Sequence, residues 1–140
     1  MAKYKFKWLG IGALMLFAAC HKSSIPTNTL DGIFTTEQAQ RGEGLFDQHC
    51  ARCHSLQEFT GFSFTTNWSG TSPAALYLII ANNMPLDQPG SLGNAQVTAL
   101  LAHILAENGM PAGDSPLEAD LEFLSSITIA AAHSKNPTSL

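Results

Sequence analysis

The chain has 140 residues, a length typical of a single domain. Seven basic residues stand against eleven acidic ones, and this formal charge of −4 argues against nucleic acid as a partner. The three cysteines are too few, and two of them too close together, to form a disulfide framework.

The N-terminus is typical of an export signal. Three lysines among the first seven residues precede an uncharged run over residues 8–19, which is too short for a helix that spans a bilayer. Residues 16–20 resemble the cleavage site of bacterial lipoproteins, in which the cysteine becomes the lipidated first residue. We therefore predict a signal peptide over 1–19 and lipidation at Cys20. An uncleaved anchor and an ordinary signal peptide are the alternatives.

Removal of this signal leaves 121 residues with four Lys and Arg against eleven Asp and Glu, a formal balance of −7. Such a protein is attracted to a basic partner. The polar segment 20–34 is predicted to be a lipidated tether, 35–130 the folded domain and 131–140 a C-terminal tail.

The folded part is predicted to be all-α. Apolar periodicity, caps and helix breakers indicate four helices. They run from Thr35 or Thr36 to His49, from Ser72-Pro73 to Asn83, from Asn94 to Asn108 before Gly109, and from Leu117 to Ser125. Residues 55–70 are predicted to be a loop, and 127–129 a short extended piece.

Cys50, Cys53 and His54 form a C-x-x-C-H motif at the end of the first predicted helix. This spacing turns all three side chains to one side of a helical turn. Two thiols can then form thioethers with a porphyrin while the imidazole binds its iron, as in haem c. A zinc site would need a second pair of ligands and a redox dithiol a βαβ context, and the sequence provides neither. We therefore predict one covalent haem c with His54 as an iron ligand.

Two methionines compete for the opposite side of the iron. Met84 follows the second predicted helix and precedes Pro85, which would hold the loop extended. Met110 also precedes a proline, but it lies in a turn after Gly109. Local chemistry leaves both open, together with His103 or an open coordination position. The context favours Met84 as the second metal ligand.

The sequence resembles class I cytochromes c over residues 36–130, and more narrowly the cytochrome c domains associated with quinoprotein (PQQ-dependent) dehydrogenases. The matching features are Gly42 and Phe46 in the first helix, the methionine loop over 84–92, and the last long helix with its exit turn over 101–113. The resemblance implies a cytochrome c fold with three to four helices wrapped around one haem. It also implies that Met84 is the axial ligand.

The resemblance also implies that the first and third predicted helices cross, with Gly42 and Phe46 packed against Leu100, His103 and Ile104. His103 stands where the family usually has an aromatic residue. It is either a residue of this helix interface or a pH-sensitive group.

Other side chains are candidates for the haem surroundings. Phe59, Phe62 and Phe64 are predicted to fill the apolar pocket. Trp68 either lines the haem edge or belongs to the ordinary core. The acidic run from Asp114 to Glu122 is either a solvated helix face or a docking surface for a partner.

These features predict a membrane-anchored carrier of single electrons on the extracytoplasmic (periplasmic) side. With both axial positions of the iron filled, no position remains for a substrate, so no enzymatic activity is expected. The expected partners are redox proteins: a dehydrogenase as donor, and an oxidase or another cytochrome as acceptor. One alternative is a haem enzyme or gas sensor with a displaceable sixth ligand, and another is a subunit of a dehydrogenase complex.

Overall fold

The computed structural model describes residues 25–133. These residues form five α-helices and two short 3₁₀ turns, and they contain no strand beyond one isolated bridge between Asn28 and Thr128. The helices are α1 (Thr36–His49), α2 (Gly61–Trp68), α3 (Pro73–Asn83), α4 (Asn94–Glu107) and α5 (Leu121–Ser126), and the 3₁₀ turns are Thr29–Asp31 and Leu56–Phe59. The all-α class is confirmed.

The signals at the ends of the three long helices lie where the sequence indicates. The hydroxyl of Thr35 accepts a hydrogen bond from the backbone N–H of Gln38 and caps α1. α3 begins with Pro73 at its first position, where the missing N–H costs no hydrogen bond. Gly109 follows α4 with a φ of 78°, a conformation that glycine adopts without strain.

Helices α1 and α4 cross at very close range, as the resemblance implies. A side chain at Gly42 would collide with the carbonyl oxygen of Ala99, and its Cβ would lie 2.8 Å from the Cβ of His103. One turn further along α1, the ring of Phe46 packs against the ring of His103 at a centroid distance of 5.8 Å. The crossing fixes the end of α1, and with it the C-x-x-C-H motif, relative to α4.

The loop predicted over residues 55–70 contains the helix α2. The sequence of α2 is rich in Gly, Ser and Thr. These residues have low helix propensity, so propensity alone did not predict a helix here. Burial stabilises it instead: Phe64 is fully buried, and Trp68, one turn later, packs against the same core. Tertiary packing therefore overrides local propensity here.

The segment before α1 belongs to the folded body from about residue 27, although the sequence indicated a tether up to residue 34. The backbone N–H of Thr29 donates to Thr128 at 3.0 Å, and that of Thr128 donates back to Thr27 at 3.1 Å. Thr29 and Phe34 are buried. The predicted signal peptide and Cys20 lie outside the described residues.

The last helix begins four residues later than predicted. Both backbone polar groups of Leu117 bond to the side chain of Gln38, at 2.9 and 2.7 Å, so they are not available to a helix. The side chain of Asp120 then accepts hydrogen bonds from the N–H groups of Glu122 and Phe123 and starts α5.

Residues 127–129 are extended, as predicted. Ile129 exchanges backbone hydrogen bonds with Gly70 and Thr71. The predicted tail also begins attached to the body, since the N–H of His133 donates to the carbonyl of Asn108 at 2.8 Å.

Candidate functional site

The C-x-x-C-H motif forms a turn that continues from α1. The carbonyl of Cys50 accepts hydrogen bonds from the N–H groups of both Cys53 and His54, each at 3.0 Å. Both thiols are free; Cys50 is half-buried and Cys53 exposed. Burial raises the pKa of the Cys50 thiol above its ordinary value. All three side chains line one cavity, as the spacing predicts.

This cavity has a volume of about 520 Å³, within the range of about 300–1,000 Å³ that is usual for cofactor and ligand sites. Its walls are mainly apolar and come from four helices and the 56–59 turn. They include Phe46, Phe59, Trp68, Leu76, Ile80, Leu100 and Ile104. A flat, apolar macrocycle fits such walls, and two thiols and an imidazole at one side fit its attachment.

Met84 lines the same cavity, whereas Met110 does not. Met84 follows the last turn of α3 in an extended conformation, with its N–H still bonded to the carbonyl of Ile80. Met110 is buried in a separate groove that it shares with His103. The structure thus brings only one of the two candidate methionines together with the motif.

The His54 ring is held by two neighbours from the turn that follows the motif. Its Nδ1 lies 3.1 Å from a carboxylate oxygen of Glu58, and Phe59 packs edge-on against it at a centroid distance of 5.3 Å. The backbone N–H of Ser55 donates to the other Glu58 oxygen at 2.7 Å. This bond and the contact with His54 hold the pKa of Glu58 below its ordinary value.

The rim of the cavity combines one ion pair with apolar side chains. Arg52, within the motif, pairs with Asp87, in the loop after Met84, at 2.9 Å. Ile79 and Leu86 also line the cavity and are 42% and 78% exposed. The rim therefore presents an apolar surface to solvent beside the ion pair.

The predicted apolar side chains separate into three groups. Phe59 and Trp68 line the cavity that contains the motif, and Trp68 also packs against the core. Phe64 is buried in the core outside the cavity lining. Phe62 is 86% exposed, and the prediction that it fills the pocket is wrong, because it lies on the outer side of α2.

His103 is buried at the α1–α4 interface, where it contacts Phe46. It does not line the cavity that contains the motif. The acidic run is exposed and also lies away from this cavity: Glu118 and Asp120 line a different groove.

Sequence reasoning missed two residues that organise the site. Asn108 is fully buried and bonds to the backbone of Phe59, Gly61 and Ile104 at 2.8–2.9 Å, which joins the end of α4 to the segment after the motif. No sequence pattern marks this role. Glu58 was detectable, because Ser55 and Glu58 have the S-x-x-E spacing of a capping box.

Within residues 25–133, no group of three or more His, Cys, Asp or Glu side chains could hold a metal ion. No helix of that part of the chain is long and apolar enough to cross a membrane.

The fold and the site together define a class of protein: an all-α cytochrome c fold with a haem attachment motif beside an apolar cavity. Residues 37–104 match the model of a family described as cytochrome c oxidase, cbb3-type, subunit III. This match supports a class I cytochrome c with haem c as cofactor and electron transfer as its role. Comparison with curated proteins and with solved structures gives no match.

Proposed function

We propose that this protein is a monohaem c-type cytochrome that carries single electrons between extracytoplasmic redox partners. The observation that carries the proposal is the convergence of Cys50, Cys53, His54 and Met84 on one apolar cavity. When bound there, haem c supplies an iron centre that gains or loses one electron.

The side chains of the cavity have distinct roles in this proposal. Cys50 and Cys53 would form the thioether bonds, and His54 would bind the iron through Nε2, since its Nδ1 contacts Glu58. Met84 would supply the second iron ligand, and its thioether sulfur would favour ferrous iron and raise the potential. The apolar walls exclude water from the iron and limit reorganisation around it.

The proposed location is the outer side of a membrane, with lipidated Cys20 as the anchor. The support is the signal-like sequence before Cys20. If the lipid is the anchor, a Cys20→Ser variant should move to the soluble fraction or stay unprocessed. Equal membrane association of the variant and the wild type would contradict the proposal.

The proposed partners are a dehydrogenase as donor, of the quinoprotein type that the sequence resemblance suggests, and an oxidase or a second cytochrome as acceptor. The apolar rim at Ile79 and Leu86 supports direct docking of such a partner over the cavity. A pull-down from solubilised membranes, with the haem-loaded protein as bait, would identify the partner. Recovery of no redox protein would contradict the assignment.

The decisive test of the proposal is covalent haem. The double variant Cys50→Ala, Cys53→Ala should lose its haem on extraction with acidified acetone, whereas the wild type should retain it. A Cys20→Ser variant is the matched control, since it also removes a cysteine but leaves the motif intact. Haem that resists extraction without both thiols, or zinc in place of iron in the wild type, would overturn the proposed function.

A further inference from the structure

The carboxylate of Glu58 contacts Nδ1 of the His54 ring. The other ring nitrogen, Nε2, is the one that an iron would use. A carboxylate only accepts hydrogen bonds, so the contact of 3.1 Å between Oε2 and Nδ1 requires a hydrogen on Nδ1. In the uncharged imidazole, the lone pair of Nε2 is then free to bind a metal. The contact therefore selects the ring tautomer that a haem site needs.

Glu58 is not a loosely placed surface carboxylate, although its side chain is 52% exposed. Its second oxygen accepts the backbone N–H of Ser55 at 2.7 Å, and its own N–H donates to the carbonyl of Ser55 at 3.1 Å. These bonds fix the carboxylate within the 56–59 turn, which begins two residues after the motif ends.

The same turn is braced from the interior of the protein. Phe59 packs edge-on against His54 and also against Phe46 of α1, at a centroid distance of 6.0 Å. The carbonyl of Phe59 accepts a hydrogen bond from Asn108 at 2.8 Å. The position of the carboxylate relative to His54 is thus fixed by α1 and α4 as well as by the turn.

From this geometry we propose that Glu58 is a positioning residue that orients His54 and lowers the reduction potential of the haem, an inference that rests on the proposed function. An anionic acceptor at Nδ1 makes the imidazole a stronger electron donor to a metal on Nε2. Stronger donation stabilises ferric iron relative to ferrous iron. Glu58 therefore opposes the thioether of Met84, which acts in the other direction.

The test is a redox titration of the haem-loaded Glu58→Gln variant at one fixed pH. Glutamine preserves the size of the side chain but removes the charge, and its single carbonyl oxygen replaces two acceptors. At a fixed solution potential we expect the ratio of reduced to oxidised haem to rise about tenfold, which equals about 59 mV for a one-electron couple.

Asp47→Asn is the matched control. Asp47 is exposed and lines the same shallow groove as His54 and Ser55, so the variant removes one negative charge nearby without removing the contact with Nδ1. We expect a much smaller shift in the reduction potential from Asp47→Asn than from Glu58→Gln. Equal shifts in the reduction potential of the two variants would show that the effect comes from net charge alone, and would overturn the proposal.

A purely structural role of Glu58 in its turn would lower the melting temperature of Glu58→Gln and leave the potential unchanged, and this result would also overturn the proposal. If Glu58→Gln does not accumulate with haem, Glu58→Asp, which withdraws the carboxylate by one methylene, should raise the potential by a smaller amount. An unchanged potential in Glu58→Asp would also overturn the proposal. Failure of the proposed function is distinguishable, because the wild type would then carry no covalent haem to titrate.

Discussion

Asn108 shows how a single side chain outside the cavity can organise the site. Its amide donates to the carbonyls of Phe59 and Ile104 and accepts from the N–H of Gly61. These bonds tie the segment that follows His54 to the C-terminal end of α4. The turn that holds the proposed iron ligand therefore depends on a residue that lies 49 positions after Phe59 in the chain.

Replacement of Asn108 by Ala should lower the free energy of unfolding by about 2–3 kcal/mol, because it leaves polar backbone groups without their partner in a buried place. Denaturant unfolding of the haem-loaded protein would measure the loss. Asn67→Ala is the matched control, since Asn67 is exposed and bonds only to the carbonyl of Ser63 four residues earlier in its own helix. Similar losses in both variants would contradict the role assigned to Asn108.

Two residues illustrate what local sequence signatures do and do not predict. Ser55 with Glu58 and Thr35 with Gln38 both have the spacing of a capping box. Glu58 does reach back to the N–H of Ser55. Gln38 instead reaches Leu117, 79 residues later in the chain. A signature of four residues contains no information about a partner so far away.

At the scale of elements, the crossing of α1 and α4 holds the site together. Gly42 permits backbone contact between the two helices at Ala99, and the motif follows α1 directly. α3 and α4 supply much of the apolar lining of the cavity, and Tyr77 of α3 donates to the side chain of Asn94 at the start of α4 at 3.0 Å. Both sides of the cavity are thus positioned relative to α4.

Gly42→Ala should destabilise the fold by about 1–3 kcal/mol, because its methyl group meets backbone atoms that cannot move aside independently. Gly44→Ala is the matched control on the same helix. Its Cβ would meet no atom within 4 Å, so it should stabilise the helix by about 0.5–1 kcal/mol. Thermal unfolding of both variants would measure the difference. A neutral Gly42→Ala would show that the helices do not cross as closely as described.

The long helices were predictable because their signals are local. Thr35 as a cap, Pro73 at a first helical position and Gly109 after a last turn each act within a few residues. Helix α2 was not predictable in this way, since it depends on the burial of Phe64 in a core that other elements build. The attachment of residues 27–34 was not predictable for the same reason, because their partners are distant: Thr29 bonds to Thr128 and Ala130, and Phe34 bonds to Gly113.

The convergence of the motif and Met84 could be proposed from the sequence, but their shared cavity could not. The spacing within Cys50, Cys53 and His54 is short enough to predict that they face one way. Both methionines precede a proline, so the choice of Met84 depended on its position after a capped helix and on the resemblance. Only the packing of α3 against α4 puts one methionine in the cavity and the other in a separate groove.

At the scale of the whole molecule, charge and apolar surface are separated. The acidic run around Glu118 and Asp120 is exposed away from the cavity, while the rim presents Ile79 and Leu86. Charge can steer a partner over a distance, and the apolar rim can make the contact through which electrons pass.

Electron transfer to a basic protein partner should therefore slow as ionic strength rises from about 0.01 to 0.15 M, where the Debye length falls from about 30 to about 8 Å. Stopped-flow measurement of haem oxidation would record the rates. Reduction by an uncharged quinol is the control and should show little dependence on salt. If the rate of electron transfer to the basic partner did not change with salt, docking would be purely apolar.

The central proposal is that His54 and Met84 would both bind the iron of a bound haem, so that the protein would carry electrons and activate no substrate. Titration of the reduced protein with carbon monoxide, followed by absorbance, tests this claim most directly. The wild type and Met110→Ala should remain unchanged, because the sixth position stays filled. Met84→Ala should bind carbon monoxide, lose the weak absorption band of methionine-bound ferric haem and show a lower potential. Ready binding by the wild type, or by Met110→Ala instead of Met84→Ala, would contradict the account.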